Sequence, residues 1–151
     1  MKLAQRLAVF AAVSLSVHGA AAGDRKVQLK DLPAAVQKTI QEETQNAEIV
    51  GLVQEQEAGK TVFEVETKVN GKTRDVTVDS SGQVIAREEE VALDTIPPAA
   101  RAAIEKAAAG GTVQKVETVT KGGATSYEAS FSKAGKKSEI VVGSDGAIKK
   151  H

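Results

Sequence analysis

The sequence predicts an α+β fold in which two tandem repeats each place one helix over a four-stranded antiparallel sheet, with both helices on one face. Three observations lead to this prediction: a self-match at a shift of 64 residues, one apolar helical stripe in each half, and matching hairpin signals in each half. Turn glycines and core-facing apolar residues coincide at this shift without a gap. Examples are Pro33 with Pro97, Ile40 with Ile104, Gly71 with Gly135, and Val78 with Val142.

Residues 1–22 have the three parts of a secretory signal peptide. A short basic head precedes an apolar run over 7–17, and small residues at Ala20 and Ala22 follow it. We therefore expect cleavage between Ala22 and Gly23 and a periplasmic or secreted product. The apolar run is shorter than the roughly 20 residues that cross a bilayer, so no transmembrane anchor is expected after cleavage. A buried N-terminal helix is the alternative interpretation.

The exported part of the chain is weakly acidic and has no cysteine. The full sequence has 20 basic and 20 acidic residues, and two of the basic ones lie within residues 1–22. The remaining 18 basic and 20 acidic residues give a net charge of −2. This balance argues against nucleic acid as a partner, because nucleic-acid binding needs a concentrated positive face. Without disulfides, the fold must be held together by burial of apolar side chains.

Each half opens with an amphipathic helix. In the first half Leu32, Val36 and Ile40 recur every four residues, which is the spacing of one helical face. The second half has the same stripe 64 residues later. Asp31 and Thr95 are expected to cap the two helices, because their side chains can accept hydrogen bonds from first-turn amides.

The rest of each half is predicted to form antiparallel strands joined by tight turns. Asn70 and Gly71 between two alternating runs are a strong signal for a two-residue hairpin. That turn places Phe63 opposite Val78 and puts the apolar side chains of both strands on one face. Similar loops at 79–83 and 143–147 add a fourth strand to each half.

No linker rich in proline, glycine or serine separates the halves. The predicted domain division is therefore a signal peptide over 1–22, a first repeat over 23–90 and a second repeat over 91–151. We expect the repeats to pack side by side, and one shared eight-stranded sheet is an arrangement that would achieve this.

Each sheet needs one apolar face for its helix, which leaves the other face open. In the first half the polar positions of the strands are mostly acidic. In the second half the face is milder, with Glu117, Ser126, Glu128, Ser130, Ser132, Lys137 and Glu139. A sheet face without a helix is a natural docking surface. The predicted partner-binding residues on this face are Glu55, Glu64, Glu66, Asp75 and Arg87.

The exported part lacks the residues that most enzymes and metal proteins use. It has one histidine, the terminal His151, and no cysteine, so no Ser/His/Asp or Cys/His nucleophile can form. Zinc, copper and haem sites usually need two or more such ligands. Glu64, Glu66 and Asp75 could bind a hard cation or act as acid and base, although solvated ion pairs are the favoured interpretation. We predict no catalytic residue, no metal site and no cofactor.

The order of these motifs resembles that of PepSY-like domains. Residues 32–36 (LPAAV) resemble the helix opening of the family, and residues 63–66 (FEVE) resemble its aromatic-led second strand. Residues 76–84 (VTVDSSGQV) resemble its closing hairpin. The second half repeats this order from 96–100 (IPPAA) onward. A tandem pair behind a signal peptide is similar to the β-lactamase-inhibitor-like group of these proteins.

The resemblance implies a non-enzymatic extracytoplasmic module that binds or inhibits another protein, often a hydrolase. We therefore expect an exported binding module whose partner is another extracytoplasmic protein. No inhibitory residue is carried over, because β-lactamase inhibitors dock with aromatic-rich surfaces and this chain has no tryptophan. Two alternatives stay open: a self-associating envelope protein that pairs through edge strands, and a cation or small-molecule binder that uses the acidic sheet face.

Overall fold

The computed structural model describes residues 24–149, which form two α-helices and one antiparallel sheet of eight strands. The predicted signal peptide, its cleavage site at Ala22 and Gly23, and His151 lie outside the described residues. The predicted α+β class is confirmed. The helices are α1 (Ala34–Glu43) and α2 (Pro98–Ala107). The strands, which are adjacent in chain order, are β1 (Arg25–Lys26), β2 (Glu48–Glu57), β3 (Lys60–Val69), β4 (Lys72–Asp79), β5 (Val84–Glu90), β6 (Thr112–Lys121), β7 (Ala124–Lys133) and β8 (Lys136–Gly143).

Two-residue turns with positive φ at both positions set the register of the hairpins. In the turn between β3 and β4, Asn70 and Gly71 have φ values of 53° and 82°. Such turns have the twist that antiparallel strands need, so the strands can pair from the turn onward. Phe63 lies opposite Val78 as predicted, and the equivalent register holds between β7 and β8.

The two helices cover the same face of the sheet, one over each half. Val36 and Ile40 of α1 are fully buried against Phe63, Val65 and Val78. Burying each such aliphatic side chain stabilises the fold by about 1.5–3 kcal/mol. The second half has its own core, which is built from Ile96, Ala100, Ile104, Val116, Ala129 and Val142.

The predicted helix caps are wrong. The residues that precede α1 and α2 are Pro33 and Pro97, and neither has a side chain that accepts a capping hydrogen bond. Asp31 and Thr95 lie instead in short 3-10 turns before the helices. Proline holds the residue before it in an extended conformation, as seen at Leu32 (ψ 162°), so turn and helix cannot join.

The strand count differs from the prediction in the second half. Strands β2 to β5 give the first half its four strands, but the fourth strand of the second half is reduced to one bridge between Val142 and Ile148. Strand β5 is paired by β4 on one side and by β6 on the other, whereas among residues 24–149 the segment at Ile148 is bridged to β8 alone. The two-residue strand β1, which pairs with β2, was not predicted.

The two halves share one continuous sheet because β5 pairs with β6. Glu88 lies opposite Val119 in this pairing, and Ala86 lies opposite Lys121. The predicted option of a shared eight-stranded sheet is therefore the arrangement that the structure has. No helix within residues 24–149 is both long enough and apolar enough to cross a membrane.

Candidate functional site

The sheet face that the helices leave open brings acidic side chains from several strands together. Glu66 of β3 lies opposite Asp75 of β4, and Asp75 lies opposite Glu88 of β5. Residues that are directly opposite in a ladder point to the same face with their Cβ atoms about 5 Å apart. Three carboxyl groups from three strands therefore form one row.

A second row of carboxyl groups crosses the junction of the two halves. Glu90 of β5 lies opposite Glu117 of β6, which lies opposite Glu128 of β7. Thr73 is placed between Glu90 and Glu117, and its Oγ1 is within hydrogen-bonding distance of both carboxylates. We call the open surface that contains both rows the acidic face. The carboxyl groups on it include those of Glu55, Glu64, Glu66, Asp75, Glu88, Glu90, Glu117, Glu128 and Glu139.

Four of the five residues predicted for partner binding lie on this face. Glu55 pairs with Val62, Glu64 pairs with Val53 and Thr77, and Glu66 pairs with Asp75. Strict alternation along β2, β3 and β4 from the buried Phe63 and Val65 is sufficient to place them there. Their role in binding a partner stays a prediction.

Arg87 is not on the acidic face, which corrects its predicted position. A bulge shifts the register between β4 and β5, so that Val76 of the core lies opposite Arg87 and Asp75 lies opposite Glu88. The extra residue in a bulge reverses the alternation of side chains beyond it. Arg87 consequently lies on the helix-covered face. Glu88, the next residue of β5, lies on the acidic face opposite Asp75.

On the helix-covered face Arg87 joins an ion-pair network at the end of α1. Its Nη2 lies 2.6 Å from Oε1 of Glu43, and Nη2 of Arg74 lies 3.1 Å from Oε2 of the same residue. The hydrogen bond from Arg87 holds the pKa of Glu43 below its usual value, against the opposing effect of burial. Arg87 therefore fastens the helix to the sheet.

Burial and mutual repulsion raise the pKa values of several carboxyl groups on the acidic face. Burial raises the pKa of Glu64 to about 8, and the neighbouring charges of Glu55, Asp75 and Glu88 add to the rise. Burial is also the main reason why the pKa of Glu88 rises to about 7 and that of Asp75 to about 6. The pKa of Glu128 is raised for the same reason. Part of this face is therefore protonated near neutral pH.

Lys115 of β6 supplies a positive charge in the middle of the acidic face. Its Nζ lies 2.8 Å from Oε1 of Glu117. Glu117 is buried, with 5% of its surface exposed. Burial lowers the pKa of Lys115, but the hydrogen bond to Glu117 and the charges of Asp75 and Glu88 outweigh it, so its pKa lies above the usual value. The ammonium group neutralises carboxyl groups that would otherwise repel each other.

Lys115, Glu88 and Glu90 of this face were not assigned to it from the sequence, for two different reasons. Lys115 precedes the buried Val116 on β6, so simple alternation is enough to place it on the open face. Glu88 could not be found in this way because the bulge before it changes the alternation of β5. Within residues 24–149, no group of three or more Asp, Glu, His or Cys residues has an arrangement that could hold a metal ion.

Comparisons with known proteins agree with the resemblance predicted from the motifs. Residues 32–88 match the PepSY family, described as the peptidase propeptide and YPEB domain. Comparison with curated proteins gives no match. The matched segment contains α1 and the strands β2 to β4, together with most of β5.

Several solved structures from Bacteroides share the fold. A candidate periplasmic protein from Bacteroides eggerthii is 20% identical, with a TM-score of 0.62 over 78% of this chain and 85% of that chain. A DUF2874 family protein from Bacteroides uniformis is 23% identical, with a TM-score of 0.60 over 77% and 85%. A BLIP-like protein from Bacteroides fragilis is 18% identical, with a TM-score of 0.55 over 78% and 83%. The predicted likeness to PepSY-like and β-lactamase-inhibitor-like proteins is confirmed.

Proposed function

From the premise that residues 32–88 carry a PepSY domain, we propose that this chain is an exported, non-enzymatic module that binds another extracytoplasmic protein through its acidic face. The observation that carries the proposal is that both helices pack on one face of the sheet and neither packs on the other. One face is filled by α1 and α2, while the other is left open and presents rows of carboxyl groups from neighbouring strands.

The dimensions of the acidic face suit a protein rather than a small molecule. It extends from β2 to β8, and adjacent strands lie about 4.8 Å apart, so it is roughly 30 Å across. A typical stable complex buries about 800 Å² on each partner, which a surface of this width can supply. Its negative charge favours a partner with a basic surface, because complementary charge increases association rate and specificity.

Export of the protein is a further part of the proposal. Support comes from the basic head, apolar run and small residues over 1–22, which lie outside the described residues. The proposed division of the exported chain is 23–90 and 91–151, as two copies of one unit. The pairing of β2 with β3 and that of β6 with β7 have the same register 64 residues apart, which supports the duplication.

A hydrolase is the proposed kind of partner, and inhibition is the proposed consequence of binding. The fold likeness to a BLIP-like protein and the match to a peptidase propeptide domain both support this form of the proposal. The chain itself acts through surface complementarity in this proposal and performs no chemical step.

Affinity capture from the envelope of the source organism tests the proposal. The bait is the exported protein, and it is compared with the double variant Glu88→Gln and Glu128→Gln on the acidic face. The matched control is Glu42→Gln with Glu105→Gln, which makes the same two amide substitutions at exposed helix positions. We expect a specific protein to bind the native and control baits and to bind the face variant at least about 10-fold more weakly. Equal capture by all three baits would contradict the assignment of the acidic face.

A self-associating envelope protein is the second candidate. Strand β1 pairs with β2 at Val53 and Gln54, and the backbone N–H of Val27 donates to the carbonyl oxygen of Leu52. Ile49 and Val50, nearer the start of β2, are 46% and 50% exposed. An exposed edge with apolar side chains can pair with the edge of another chain. Sizing chromatography over a range of protein concentrations distinguishes the candidates, because self-association predicts an oligomer in the absence of any partner.

A further inference from the structure

The outer edge of β8 is largely uncovered. In the first half, the equivalent strand β4 pairs with β5 over most of its length. Beside β8, residues 24–149 supply a neighbour only at its C-terminal end. There the backbone N–H of Lys149 donates to the carbonyl oxygen of Val141. Ile148 forms a bridge with Val142, the next residue of the strand. The stretch 136–140 therefore has β7 on one side and no strand of the described residues on the other.

Lys137 and Glu139 direct their backbone N–H and C=O groups away from β7. Successive residues of an antiparallel strand send these groups alternately to its two sides. The carbonyl oxygen of Val141 points outward to Lys149, and the register between β7 and β8 has no bulge, so every second residue before Val141 has the same direction. Outward backbone groups on an edge can form a ladder with another strand.

The side chains along this edge are complementary to themselves about Ser138. When a second copy of β8 lies antiparallel, with the two Ser138 residues opposite each other, Lys137 of each copy lies opposite Glu139 of the other. Opposite charges directly across a ladder stabilise the pairing of the strands. Lys136 then lies opposite Ile140, and the methylene stem of a lysine packs well on such an apolar side chain. All five pairs of the stretch 136–140 are therefore favourable or neutral.

We propose that two copies of this chain form a dimer by antiparallel pairing of their β8 edges about Ser138. The arrangement has two-fold symmetry, which is the commonest symmetry of homodimers. Lys137 of each copy exchanges two backbone hydrogen bonds with Glu139 of the other, and the same residues form two ion pairs. This inference goes beyond the proposed function, because the dimer forms without a bound partner.

The dimer places the two acidic faces next to each other. A two-fold axis perpendicular to the sheet leaves the open faces of both copies on the same side, so the paired sheets present one surface of twice the width. A partner with two binding sites can engage both copies at once, and the second contact then forms at a high effective concentration.

The oligomeric state in solution tests the proposal without any partner. Five residues from each copy form a small contact, so we expect half of the native chain to be dimeric at roughly 100 µM in sedimentation velocity. Lys137→Glu and Glu139→Lys each place like charges opposite each other, and each should weaken the dimer at least about 10-fold. Lys106→Glu, the matched control, reverses an exposed charge on α2 and should leave the dimer unchanged. A native chain that stays monomeric up to about 1 mM overturns the proposal.

Exchange of the two charges makes the test specific to this edge. The double variant Lys137→Glu with Glu139→Lys should dimerise like the native chain, because each ion pair is restored with its signs reversed. An equimolar mixture of the two single variants should form a heterodimer, since the acidic edge of one then faces the basic edge of the other. Circular dichroism verifies that each variant is folded.

A dimer that both single variants leave intact uses another edge of the sheet and overturns the inference. The same holds when folded variants lose the dimer and neither the charge exchange nor the mixture restores it. The proposed function is judged separately, because affinity capture with the Glu88→Gln and Glu128→Gln bait changes no residue of β8.

Discussion

The guanidinium group of Arg87 lies 2.6 Å from the carboxylate of Glu43, so strand β5 is joined to the C-terminal end of α1 by an ion pair on the helix-covered face. Arg74 of β4 reaches the same carboxylate and also pairs with Glu89. The equivalent of Glu43 in the second half is Ala107, so this network belongs to the first half alone. Two arginines thus fix the position of a helix and take no part in the acidic face.

Replacing Arg87 by methionine should therefore destabilise the fold without affecting partner capture. The variant leaves a largely buried Glu43 carboxylate with Arg74 alone, and we expect a loss of about 1–2 kcal/mol in the free energy of unfolding. Urea denaturation measures the loss. The matched control is Lys38→Met on the same helix, because the Lys38–Glu42 pair is exposed and should contribute no more than about 0.5 kcal/mol. A loss of the same size in both variants would show that the network has no special role.

The stability of the protein should fall as the pH rises from about 5 to 8. The raised pKa values of Glu64, Glu88 and Asp75 mean that the folded state binds more protons than the unfolded chain in this range. Unfolding then becomes easier as these protons are lost, and we expect a decrease of about 2 kcal/mol or more. Urea denaturation at a series of pH values measures the slope. Stability that rises with pH over this range would refute the electrostatic description of the acidic face.

The variant Glu64→Gln should flatten that pH profile. The amide cannot ionise, so it removes the cost of charging a buried group beside Glu55 and Asp75. We expect the variant to be more stable than the native protein at pH 8 and to differ little from it at pH 5. The control Glu105→Gln removes an exposed charge from α2 and should leave the slope unchanged.

Truncation of either central helix residue should destabilise both halves together. Ile40 and Ile104 are fully buried under their helices, and replacing either by alanine should cost about 2–5 kcal/mol. Because β5 and β6 join the halves in one sheet, we expect each variant to unfold in a single transition at a lower urea midpoint. Circular dichroism detects the transition. Ile148, which is 71% exposed, is the control, and Ile148→Ala should have almost no effect.

Two glycines with the same backbone conformation should respond differently to alanine. Gly71 and Gly82 have φ values of 82° and 89°, so alanine is strained at both by about 1 kcal/mol. The space beside Gly71 is open, whereas a Cβ at Gly82 would lie 2.8 Å from the backbone oxygen of Ala35 in α1. We expect Gly82→Ala to cost about 1–3 kcal/mol more than Gly71→Ala in thermal or urea unfolding. Similar costs for the two would mean that the loop can move away from the helix.

The strand register was predictable because its causes are local. A two-residue turn at Asn70 and Gly71 fixes which residues face each other, and alternation then assigns every side chain to a face. The same rules placed Glu55, Glu64 and Glu66 on the open side. The helix starts were not predicted, because proline separated the expected caps from the first helical turn.

The amino-acid sequence by itself determined the two helices, the hairpin registers and the polarity of the sheet faces, since these follow from contacts between residues that are close in the chain. Only the tertiary structure decided which charged groups meet. The bulge in β5 exchanged Arg87 for Glu88 on the open face, and the pairing of β5 with β6 joined the acidic groups of both halves around Lys115. These outcomes depend on the pairing of a strand with two neighbours at once, and the geometry of that pairing is not encoded in any single segment.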